Sequence, residues 1–144
     1  MHGATGLRLE NSLRVLSTYD GEYRVKAVIV AAGSTLRRLG VSGEEPFHGR
    51  GVSYCATCDG AFFADQVVAV AGGGDSALDE AETLTKFASE VILFHRRDSL
   101  RAQQVLQDRV LSHDKVRVLW NTVVEEVLGN GEVSGVRTRD VVSG

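Results

Sequence analysis

"VVAVAGGGDSALDEAETL", Val67 to Leu84, passes from a short apolar run through three consecutive glycines into apolar and charged residues at regular spacing. The β-branched run Val67 to Ala71 reads as a strand. Beyond it Ala77, Leu78, Ala81, Leu84 and Ala88 recur at a helical period, while Asp79, Glu80, Glu82 and Lys86 take the other face. That pattern predicts an amphipathic helix over Asp75 to Ala88.

Outward from this unit, "VILFH" at 91–95 reads as a second buried strand, and Asp98 or Ser99 is the expected cap of a helix running to about Leu111. "VRVLW" at 116–120 is a third strand, and the residues after it fold back on Gly129-Asn130-Gly131 as a hairpin. The β-α-β-α-β alternation predicts an α/β fold with a Rossmann-like parallel sheet and flanking helices. Upstream, residues 13–17 and 23–31 flank Asp20-Gly21 as strand, turn, strand, the second run apolar enough to be buried on both faces. From Ser34 to Gly51 the glycines and the single proline, Pro46, mark a crossing between domains. The division expected is 1–38 for a first, partial domain with its crossover and 39–144 for the α/β domain.

Composition narrows the function classes. Of the 144 residues 43% are hydrophobic and 24% charged, which is the balance of a folded globular chain. The apolar runs are far shorter than the roughly 20 residues of a membrane span, so no membrane role is expected and the location read is cytoplasmic. A net charge of −3 argues against a nucleic-acid surface, although "HRRDSLR" is a basic cluster suited to a small anion.

The only cysteines, Cys55 and Cys58, form C-x-x-C. No metal site is expected, because His2, His48, His95 and His113 supply no paired ligand spacing beside them. The short spacing allows reversible closure, so the pair reads as a redox dithiol that needs an electron donor.

Gly72-Gly73-Gly74-Asp75-Ser76-Ala77 fits the dinucleotide fingerprint G-x-G-x-x-A. The first glycine permits the tight turn, the second admits a pyrophosphate close to the backbone, and the small sixth residue packs helix on strand. An NAD site places an acid at the next strand end, whereas this chain has His95-Arg96-Arg97, with Arg101 one turn later. Guanidinium groups bond a 2′-phosphate in bidentate fashion, so the cofactor expected is NADPH. The plainer alternatives are a packing turn and a solvated basic loop.

Taken together, "CATCDG" at 55–60, "GGGDSALDEA" at 72–81 and "HRRDSLRA" at 95–102 resemble the redox, pyrophosphate and 2′-phosphate motifs of the low-molecular-weight thioredoxin reductases, in that family's order. "AVIVAAGS" at 27–34 resembles the stretch closing the family's FAD domain. The resemblance implies an NADPH-dependent thioredoxin-disulfide reductase, with electrons passing from NADPH to FAD to Cys55–Cys58 and on to thioredoxin or a similar dithiol protein. By the same resemblance Cys58 is the flavin-proximal thiol, Cys55 attacks thioredoxin, and Asp59 is the acid that protonates a thiolate. A domain rotation and a homodimer of the full-length enzyme are also implied.

The sequence departs from the family at both ends. No FAD fingerprint precedes residue 27, no C-terminal FAD segment follows the hairpin, and Ala32 stands where threonine is common. The expectation is therefore a chain that holds no FAD and does not turn over by itself. Residues up to about 33 are expected to be frayed, rearranged or held by another chain. Two other readings remain open: a stand-alone NADPH-binding or redox-sensing module, and a piece of a related flavoprotein reductase with another dithiol acceptor.

Overall fold

A computed structural model describes residues 3–33 and 35–144. His2, one of the four histidines, and Ser34, the last residue of the 27–34 stretch, lie outside the described residues. The chain forms two compact units, Met1–Thr35 and Leu36–Gly144.

The first unit is a three-stranded antiparallel meander of β1 (Ala4–Glu10), β2 (Leu13–Thr18) and β3 (Gly21–Val25), in that order. Asn11, at φ 53°, and Gly21, at φ 141°, turn the chain between strands. Val15, on the central strand, is fully buried, and Arg8 on β1 grips Glu22 on β3 through two hydrogen bonds of 2.5 and 2.9 Å. Strand β1 has no counterpart in the sequence reading. The expected buried strand to residue 31 is corrected: β3 ends at Val25, and Ile29 and Val30 beyond it are 92% and 81% exposed. The reason is register. Val25 pairs with Arg14, next to the first residue of β2, so the chain past Val25 has run out of partner.

In the second unit β4 (Val67–Ala71), β5 (Glu90–Phe94) and β6 (Val116–Leu119) form a parallel sheet in the order β4-β5-β6. Helix α1 (Ala56–Asp59) and a 3-10 turn (Gly60–Phe63) precede β4, and helices α2 (Asp75–Leu84) and α3 (Gln104–Leu111) make the two crossovers. Leu78, Ala81, Val91, Leu93 and Val110 are buried between sheet and helices. Full burial of Leu78 or Leu93 contributes about 1.5–3 kcal/mol each. The chain ends in an antiparallel hairpin of β7 (Thr122–Gly129) and β8 (Val133–Asp140), turning where the glycines predict.

The parallel α/β sheet with flanking helices expected from the alternation is thus present. Three details differ. Helix α2 stops at Leu84 rather than Ala88, because the chain tightens there and the Lys115 ammonium takes the Thr85 and Ala88 carbonyls at 3.0 and 2.9 Å. Helix α3 starts at Gln104 rather than at Asp98 or Ser99, because residues 98–103 are pinned back onto the glycine turn. The C-x-x-C, to which the sequence reading assigns no helix, opens a short one, with Cys55 as the N-cap of α1.

Candidate nucleotide and dithiol site

The glycine turn joins β4 to α2, and each glycine has its own reason. At Gly72, where φ is 156°, a Cβ would stand 2.5 Å from the Ala77 Cβ, so the first and sixth motif positions fit only when both are small. A side chain on Gly73 would run into the His95 ring. Gly74, the N-cap of α2, faces open space. There the backbone lies open to a ligand, and the first-turn N–H groups of α2, at Asp75, Ser76 and Ala77, have no partner within the helix. Such a turn suits a pyrophosphate.

The basic loop after β5 is stitched to this turn. The His95 ring is buried, its Nε2 lies 2.9 Å from the Ser99 carbonyl, and it meets Trp120 edge-on. The Arg101 N–H donates to the Gly73 carbonyl at 2.8 Å. The Gln103 N–H and Nε2 donate to the two Asp75 carboxylate oxygens at 2.7 and 3.3 Å. The Asn121 N–H takes the Arg97 carbonyl at 3.2 Å. Arg96, Arg97 and Arg101 are exposed, and no carboxylate pairs with their guanidinium groups among the described residues. Of the basic cluster, then, His95 is a buried brace and the three arginines are the cations that face solvent. An open backbone at Gly74 and unpaired guanidinium groups on the loop bonded to Gly73 are the kinds of donor that phosphate groups take.

Cys55 and Cys58 form a disulfide, with their Cα atoms 5.3 Å apart. Cys58 is exposed and Cys55 half-buried. The Cys58 N–H points at Cys55 Sγ, 3.2 Å away. The Ser53 hydroxyl donates to Asp59 Oδ2 at 2.5 Å and accepts from the Cys55 N–H at 3.1 Å, fixing Asp59 beside the pair. Glu80, on α2, accepts the Ala56 N–H, so α1 is tied to the helix that carries the glycine turn. Along α2 the step from Asp75 to Glu80 is about 7.5 Å.

Behind the pair, the buried Glu44 carboxylate accepts from the Leu39 N–H at 2.9 Å, the Gly40 N–H at 2.7 Å and the Tyr54 hydroxyl at 3.0 Å. Burial works to raise the Glu44 pKa, but these hydrogen bonds outweigh it and hold the carboxyl below its ordinary value. Burial first, and then the bond to Glu44, push the Tyr54 phenol above its ordinary value. Sequence reading singled out none of Ser53, Glu80, Glu44, Tyr54 or Gln103, because each acts on a residue distant in sequence or through the backbone.

Among the described residues there is no second strand, glycine turn and helix like 67–84, and residues 26–33 form neither helix nor strand.

One parallel α/β sheet thus carries a glycine turn at the start of α2 and a disulfide-bearing helix tied to the same helix. The chain belongs to the pyridine nucleotide-disulphide oxidoreductase family, whose model matches residues 3–143. It is 51% identical over 123 residues to a thioredoxin reductase of Listeria monocytogenes, covering 85% of this chain and 39% of that protein. It is 45% identical over 144 residues to a thioredoxin reductase of Mycolicibacterium smegmatis, covering 100% of this chain and 46% of that one. The crystal structure of Lactococcus lactis thioredoxin reductase superposes with a TM-score of 0.78 at 41% identity, over 99% of this chain and 48% of that one. The chain thus spans less than half the length of these relatives. No helix among the described residues is long and apolar enough to cross a membrane.

Proposed function

We propose that residues 39–144 are the NADPH-binding and dithiol portion of an NADPH-dependent thioredoxin-disulfide reductase, and that residues 1–38 are part of its FAD domain and the crossover. The observation that carries this is the double use of α2: an open glycine turn flanked by three unpaired arginines at its start, and the Cys55–Cys58 helix bonded to Glu80 farther along. The names of the relatives support thioredoxin as the acceptor.

In this reading the backbone around Gly74 and the first turn of α2 hold the pyrophosphate, and Arg96, Arg97 and Arg101 hold the 2′-phosphate. His95 and Asp75 keep the basic loop in register with the turn. NADPH, when bound, supplies the electron pair. The protein's own step is thiol–disulfide exchange. With the pair reduced, the Cys55 thiolate attacks one sulfur of the acceptor disulfide and the other sulfur leaves as a thiolate. Cys58 then attacks Cys55 of the mixed disulfide, which re-forms the Cys55–Cys58 bond and releases the reduced acceptor. Asp59, held by Ser53, carries the proton that neutralises a thiolate. The 144 residues alone bind nucleotide and do not turn over, because the flavin that links the two centres in the family has no cradle among them. The full-length enzyme is cytoplasmic and dimeric in this reading.

Calorimetric titration of the chain with NADPH and, separately, NADH tests the proposal. NADPH is expected to bind at least tenfold more tightly, about 1.4 kcal/mol, and Arg96→Ala with Arg97→Ala is expected to erase the difference. Equal affinities in the wild type, or no binding by a folded chain, would overturn it.

A further inference from the structure

Glu80 falls within the 72–81 stretch but takes no part in the glycine turn. It lies on α2, half-buried, and its carboxylate takes the N–H of Ala56, the residue directly after Cys55. A cysteine at the start of a helix ionises readily when the free N–H groups there face its sulfur. Here one of those groups is withdrawn and a negative charge stands one peptide unit from the Cys55 side chain. Among the described residues only the Cys58 N–H is directed at the Cys55 sulfur, at 3.2 Å.

Two further carboxylates lie near α1. Asp59 sits on α1 itself, bonded to Ser53, and Glu44 stands behind Tyr54. On the Tyr54 side lie the His48 ring, at a centroid distance of 5.2 Å from the Tyr54 ring, and Arg38, whose positive charge acts on the Tyr54 phenol. Among the described residues no basic side chain hydrogen-bonds to residues 55–59, whereas Glu80 does.

We infer that Glu80 tunes the Cys55–Cys58 couple: its carboxylate disfavours the Cys55 thiolate of the reduced pair and so makes the pair a stronger reductant. This rests on the reading of the pair as redox-active. Stabilising the reduced form of a dithiol makes its disulfide more oxidising, and destabilising it does the reverse. The couple consumes two electrons and two protons as the sulfur–sulfur bond opens to two thiols. A carboxylate beside one sulfur acts on the thiolate fraction of that product, leaving the uncharged disulfide nearly unaffected.

The test equilibrates the 144-residue chain with reduced and oxidised dithiothreitol at pH 7, reading the protein's thiol content, and follows alkylation of the reduced pair by iodoacetamide against pH. Glu80→Gln keeps an oxygen for the Ala56 N–H and removes only the charge. It is expected to shift the equilibrium about three- to tenfold toward the dithiol, tenfold being about 30 mV for two electrons, and to move the alkylation profile to lower pH. Glu80→Asp is expected to stay close to wild type. If Glu80→Ala shifts both readouts and Glu80→Gln neither, Glu80 only anchors α1 and the inference is overturned. If the wild-type disulfide resists excess dithiothreitol in the folded chain, the redox reading of the pair fails and this inference with it; a reducible pair unmoved by Glu80→Gln overturns the inference alone.

Discussion

The imidazole of His95 occupies the space that a side chain at position 73 would need. Gly73 is the variable residue of the G-x-G fingerprint, yet here the buried ring behind it makes glycine necessary, and the Arg101 N–H bonds to its carbonyl at 2.8 Å. Gly73→Ala should therefore displace His95 and with it the loop that carries Arg96 and Arg97. Overpacking of this kind destabilises by about 1–3 kcal/mol. Denaturant unfolding should show that loss, and NADPH affinity should fall in the same variant. A double-mutant cycle with His95→Ala should recover part of the stability, as contact between the two residues demands.

Asp75 holds the far end of the same loop. Its carboxylate accepts both the backbone N–H and the side-chain amide of Gln103, just before α3. Asp75→Ala should lower stability by about 1–2 kcal/mol, the range for a hydrogen bond to a charged group that is partly solvated. Amide exchange at Gln103 should accelerate more than exchange at Leu93, which lies in the parallel sheet. Asp75→Asn, which retains an acceptor oxygen, should lie between the two.

The parallel sheet was legible because Val67 to Ala71, the residues 91–94 and the residues 116–119 are short apolar runs bounded by glycines or charges. The glycine turn and the C-x-x-C were legible because their chemistry needs fixed spacing in the chain. What escaped was set by contacts at long range. Asp98 and Ser99 have the right side chains for a cap, but the loop containing them is bonded to Gly73 and Asp75, so α3 starts later. The apolar run 27–31 has strand character, but it extends past the end of β2 and finds no pairing within its unit. Glu80 and Ser53 look like ordinary surface residues until α1 is folded against α2.

Lys115 should matter more for stability than a surface lysine usually does. Its ammonium, half-buried, donates to the carbonyls of Thr85 and Ala88 at 3.0 and 2.9 Å, closing the chain beyond α2. Lys115→Met keeps the aliphatic stem and leaves both carbonyls without this donor. A loss of about 1–3 kcal/mol is expected. It should appear as a lower denaturation midpoint with an unchanged slope, because the surface exposed on unfolding stays the same.

Glu44 gives a pH dependence whose sign can be worked out. The residue is 4% exposed. Burial alone would raise its pKa, but the N–H groups of Leu39 and Gly40 and the Tyr54 hydroxyl favour the charged form more strongly, so the folded value lies below the ordinary 4.5. A carboxyl depressed on folding contributes stability that is fully present above the unfolded pKa and is lost as pH falls through the folded one. Glu44→Gln should therefore cost the most stability at neutral pH. The gap between wild type and variant should narrow below about pH 4.5, where protonation makes wild-type Glu44 resemble glutamine. Urea unfolding of both proteins from pH 7 down to pH 3 measures that gap. A gap independent of pH would mean that Glu44 acts through packing alone, and a gap that widens on acidification would reverse the sign of its contribution.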